Sequence, residues 1–191
     1  MKGFNHTFKI LLVAIFSVSA LFATPSEAST RTNPPRGIFA DEASTRRSPV
    51  RNGSWRVDPT VVICTTSVFS LSEVSAAVEW WQDRGYSFGQ VITNTPGQIC
   101  PQSGRDGFIT IEGPDASFDF RYLAITHRKS SRDEILSARI QFGGPNKKSR
   151  ILEHEIGHAL GWSHCNRRGH IMNPEWSRGG WDDNGLVLEE D

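Results

Sequence analysis

The sequence predicts an α+β domain over residues 54–191, a sheet with helices packed on one face. Three observations predict it. Short β-branched or alternating apolar runs recur through the first part of that span. Two segments carry apolar residues at helical spacing, each with a residue able to cap its start. The order strand, helix, strands, helix then suits a layered sheet-and-helix domain. The 191 residues fit one such domain with its own core and a short extra segment at one end.

That extra segment is N-terminal. Lys2 and Lys9 precede an apolar run over residues 10–23, and Ser26 and Ala28 supply small side chains for cleavage. This pattern reads as a secretory signal peptide over residues 1–28, with cleavage nearer Ala23 as the alternative. The run of about 14 residues is shorter than the ~20 needed to span a bilayer, so no stable membrane insertion is expected after cleavage. A secreted or periplasmic protein follows. Residues 29–53 hold Pro34, Pro35, Pro49 and several arginines with few apolar side chains, and read as a disordered linker or short pro-segment. Arg46-Arg47 is either a processing site or part of a solvated tail.

In the domain, Val61, Val62 and Ile63 with Cys64 predict a strand. Ser70 and Glu73 form a capping box ahead of Val74, Ala77, Val78 and Trp81, which predicts a helix ending near Arg84 with Gly85 as its stop. Strands are expected over residues 86–93, 108–111, 123–127 and 135–142. After Gly143-Gly144-Pro145, Asn146 is the expected cap of a second helix running to about Leu160. A last short helix is expected from Asp182.

Charge and cysteines narrow the function. With 21 basic and 21 acidic residues, no overall field attracts nucleic acid or an anionic membrane. Export implies an oxidising compartment. Cys64, Cys100 and Cys165 permit three pairings. Cys64 with Cys100 is favoured, because Cys165 adjoins the residues described next.

Residues 154–164 read HEIGHALGWSH. His154 and His158, four apart on a helix, present their rings on one face to a single ion. A continuing helix would carry His164 elsewhere, but Gly161 can take positive φ and turn the chain so that His164 returns as third ligand. Three neutral imidazoles with an open position suit one catalytic Zn2+. Glu155 is expected as general base on water at that position. Chance gives a bare HExxH in roughly 1% of chains of this composition, and the added Gly and His bring that to about 10⁻⁵–10⁻⁴.

This eleven-residue pattern resembles the metzincin clan of zinc endopeptidases, most closely its matrixin branch. The resemblance is specific over residues 154–174 and looser over residues 55–142. It implies a metzincin-like twisted mixed sheet with two long helices, an active-site helix followed by a Met-turn, and a short C-terminal subdomain. It further implies a Met-turn at Met172 and Pro174, with Met172 as apolar support beneath the imidazoles. The strand over residues 135–142 would border the cleft and pair with an extended protein or peptide substrate. The chain also departs from the branch. Residues 113–134 offer only His127 as a histidine, so one zinc is expected, without structural zinc or calcium, and His127 is read as a surface residue. No thiol switch precedes Trp55, Asp41 is not expected to replace one, and no tyrosine follows Met172 as an extra ligand. Cys165 is similar to a feature of archaemetzincins, but no further cysteine follows it.

Trp162, Trp176 and Trp181 are expected mainly as core beneath the Met-turn. His170 is not expected as a ligand, and Arg167-Arg168 and Lys147-Lys148 are read as solvated charges. The reading is a monomeric, secreted zinc endopeptidase. The alternatives are a secreted zinc-binding or toxin-like module with little turnover, and a zinc hydrolase of a non-peptide amide.

Overall fold

The computed structural model describes residues 45–95, 100–145 and 147–188. The expected signal peptide, Asp41, most of the expected linker and the Asn146 cap lie outside them. Among the described residues no helix is long and apolar enough to cross a membrane.

The architecture is α+β. Six strands, β1 (Ser54–Trp55), β2 (Thr60–Ile63), β3 (Val91–Thr93), β4 (Phe108–Glu112), β5 (Ala124–Ser131) and β6 (Glu134–Phe142), form one sheet with helices α1 (Leu71–Gln82) and α2 (Ile151–Ala159). The strand order is β1-β6-β4-β2-β3, all parallel, and β5 runs antiparallel along the remaining side of β6. Parallel strands need crossovers, and α1 provides the one between β2 and β3.

Alternation along the strands sorts the side chains. Val61, Ile63, Ile109, Ile111, Ala138, Ile140 and Phe142 join Val74, Ala77, Val78 and Trp81 of α1 and Ile151, Leu152 and Ile156 of α2 in one core. The indole N–H of Trp81 donates to Glu153 O at 2.9 Å, tying the two helices together. On the other face, Arg139 bridges Glu112 (2.9 Å) and Asp115 (2.8 Å), so the nearly buried Glu112 carboxylate is neutralised in place. Cys64 and Cys100 form a disulfide that pins the loop after β3 to the end of β2, while Cys165 is free and buried.

Several expectations need correction. Residues 86–90 are not strand: Tyr86 and Phe88 are spent on the core, and only Val91–Thr93 pairs. The strand expected at 123–127 is β5, which reaches Ser131. Among the described residues no helix follows Asp182; residues 182–188 are turns and irregular backbone anchored by Leu186, whose carbonyl accepts from Tyr86 Oη at 2.9 Å. The second helix has 9 residues, starting only at Ile151. Arg150, ahead of it, holds φ 69°, and its guanidinium reaches the carbonyls of Trp176 and Gly180, each at 3.3 Å. A tertiary contact therefore sets this boundary. Finally, β6 is an interior strand; the exposed antiparallel edge is β5.

Candidate metal centre

Helix α2 presents His154 and His158 one turn apart, both buried. The helix stops at Leu160 because Gly161 takes φ +106°. Gly161 N then donates to His158 O (3.0 Å) and Trp162 N to Gly157 O (3.0 Å), a Schellman ending. A Cβ at Gly161 would lie 2.8 Å from Gly53 O, so the turn excludes any larger residue.

The last carbonyls of α2 would be orphans without outside donors. Ala159 O accepts from the Trp55 indole (2.9 Å), Leu160 O from Arg51 Nε (3.3 Å), and Gly161 O from Asn52 N (2.8 Å). Val50 and Ser163 exchange bonds: Val50 N donates to Ser163 Oγ (3.0 Å) and Ser163 N to Val50 O (2.9 Å). Residues 46–53, expected within a linker, thus form a strap along the loop that delivers His164.

The three histidines converge. Their Nε2 atoms lie 3.1 Å (His154–His164), 3.1 Å (His154–His158) and 3.0 Å (His158–His164) apart. His154 Nδ1 faces Ile171 O at 2.7 Å and His158 Nδ1 faces Trp162 O at 2.8 Å. A carbonyl only accepts, so both Nδ1 atoms carry the proton and both Nε2 lone pairs are bare. At most one Nε2 proton could then serve three contacts, whereas one cation serves them all. A tetrahedral ion with bonds of about 2.0–2.1 Å spaces its ligands roughly 3.3 Å apart, close to this triangle. Burial, reinforced by the neighbouring imidazoles, pushes the His154 pKa well below its ordinary value, and burial with His158 pushes that of His164 to about 2. Neutral imidazole is the form that ligates metal. The donor set fits a divalent ion.

Glu155 points its carboxylate to β5, where Thr126 Oγ1 donates to Oε2 at 2.5 Å. Its Oε1 has no hydrogen-bond partner among the described residues. Burial raises its pKa to about 8, partly offset by the Thr126 bond. Arg128, two residues along β5, donates to His158 O at 2.9 Å. His127 between them is exposed, as expected.

Beneath the helix, Met172 is fully buried; a Cβ on Gly157 would lie 2.7 Å from its Sδ. Pro174 is buried two residues on. The turn at Met172 is fixed by His170, whose Nδ1 accepts from Met172 N (3.0 Å) while its Nε2 donates to Asn184 O (3.1 Å). Ile171 O then holds His154, and Met172 O accepts from Cys165 N (3.0 Å), the neighbour of His164. Both ring nitrogens of His170 are thus engaged, and the side chain bolts the turn. Of the tryptophans, Trp162 is core and donates to Tyr86 Oη (2.7 Å), Trp176 is half-buried, and Trp181 is 52% exposed.

Sequence reasoning missed Thr126, Arg128, the strap and the roles of Ile171 O and Trp162 O. Only the alternation of Ala124, Thr126 and Arg128 on one face of β5 hinted at the first two. No protein-family model matches this chain, and no curated protein sequence matches it.

Proposed function

We propose that the chain is a secreted zinc metalloendopeptidase of the metzincin kind, closest to the matrixin branch. The observation that carries this reading is the Nε2 triangle at 3.0–3.1 Å with Glu155 next to its first member. His154, His158 and His164 would hold one Zn2+, the ion favoured by three neutral imidazoles with an open position. When bound, the ion supplies Lewis-acid polarisation of a carbonyl and acidifies a water.

The remaining chemistry belongs to the chain. Glu155 takes the proton of the attacking water and returns it to the leaving amine. Thr126 restrains one carboxylate oxygen, which leaves Oε1 as the acting atom. The carbonyls of Ile171 and Trp162 fix the tautomers and orientation of two ligands. Met172 and Pro174 serve as the Met-turn. The β5 edge, exposed along most of its length, is suited to pair with an extended peptide backbone.

The test compares the chain with its Glu155→Ala variant on a mixed peptide library, with metal measured in both. The proposal expects equal zinc and cleavage by the parent alone. Full zinc with no cleavage by the parent contradicts it.

A further inference from the structure

Two arginine pairs lie far apart in sequence, Arg46-Arg47 and Arg167-Arg168. The fold brings them together. Asn166 N donates to Arg46 O at 2.6 Å, joining the strap to the loop just past His164. Gly169 N donates to Arg178 O at 2.7 Å and Arg178 Nη2 to Asn166 Oδ1 at 3.1 Å, adding a third segment. Between them lies a concavity of about 540 Å³ lined by Arg47, Ser48, Asn166, Arg167, Arg168 and Arg178.

Four guanidinium groups around one hollow repel one another unless anions are present. Arg167 is paired with Asp182 (2.8 Å) and Arg178 with Glu175 (3.1 Å). Arg47 and Arg168 have no ion pair among the described residues, so the lining keeps an excess of positive charge. We propose that this hollow is a binding site for acidic segments of a polypeptide. Guanidinium forks match carboxylates two bonds at a time. The volume falls in the range that holds a multi-atom ligand rather than one small anion. Taking that polypeptide to be a substrate rests on the peptidase reading; the binding itself does not.

The test measures binding of a fluorescent oligoglutamate peptide, with oligoglutamine of equal length as control, to the purified chain. Binding needs neither the ion nor Glu155, so it is measured in the Glu155→Ala chain too. A parent chain that binds the peptide but cleaves nothing refutes only the peptidase reading. The expected result is oligoglutamate binding at least about tenfold tighter than oligoglutamine, weakened by salt. The double variant R47A/R168A, altering two exposed residues without ion-pair partners among the described residues, should weaken it about tenfold or more. Equal binding of both peptides, or unchanged binding by the double variant, overturns the proposal. Displacement by inorganic phosphate at matching concentration assigns the hollow to small anions and overturns the peptide assignment.

Discussion

The two halves of the histidine cluster are built by different means. His154 and His158 sit on α2, where one helical turn aligns their rings. His164 sits on a loop with no periodicity. Its position depends on Gly161, on the strap at residues 50–52, and on the turn at Met172 bolted by His170. A helix supplies two of the clustered histidines from its own geometry, while the third requires agreement among segments more than 100 residues apart in sequence. Variants in the loop half should therefore loosen metal binding before they unfold the domain, and variants in distant helix caps should do the reverse.

The largest effect is expected at Gly161. Gly161→Val places a branched side chain at φ +106° and against Gly53 O, and should cost about 3 kcal/mol or more with loss of the third ligand. Denaturant unfolding and metal titration check both parts. His170→Ala comes next. It strands Met172 N and Asn184 O and should cost about 1–3 kcal/mol. Metal affinity should fall with it, and His170→Asn, which keeps an acceptor near Met172 N, should recover part of that affinity. Recovery of stability without affinity would show that His170 acts only on the fold.

Ser163→Ala removes one bond of the strap and should cost about 1 kcal/mol. Chelator competition should show weaker metal binding with α-helical circular dichroism unchanged. The smallest effect tests the helix side. Lys147 and the Ser70 cap hold the Glu73 pKa down to about 2, against an ordinary value of 4.5. A lowered carboxylate pKa means stability that is present above pH 4.5 and lost as pH falls through about 2. Glu73→Gln should thus lose roughly 0.5–1 kcal/mol at neutral pH, small because the pair is half exposed, and match the parent near pH 2. Metal affinity should not change.

What could be read in the sequence follows the same division. The capping box at Ser70, the i, i+4 histidines and the glycine stop are local patterns, and each stands where the spacing put it. The Cys64–Cys100 bridge followed from excluding the cysteine beside the cluster. Non-local matters were not legible. That β6 is interior depends on β1, β4 and β5 all pairing with it, which no alternation reveals. The late start of α2 depends on Arg150 reaching across to Trp176 and Gly180. Thr126 meets Glu155 only because β5 lies beside α2. The convergence of Arg47 with Arg168 likewise exists only in the fold.

The central claim is that three imidazoles hold one ion. Its most direct test is the metal content and metal affinity of the purified chain beside His164→Ala. One zinc per chain is expected in the parent, with a loss of affinity of at least about tenfold in the variant. A parent that binds no divalent metal, or a variant that binds it as tightly as the parent, would contradict it.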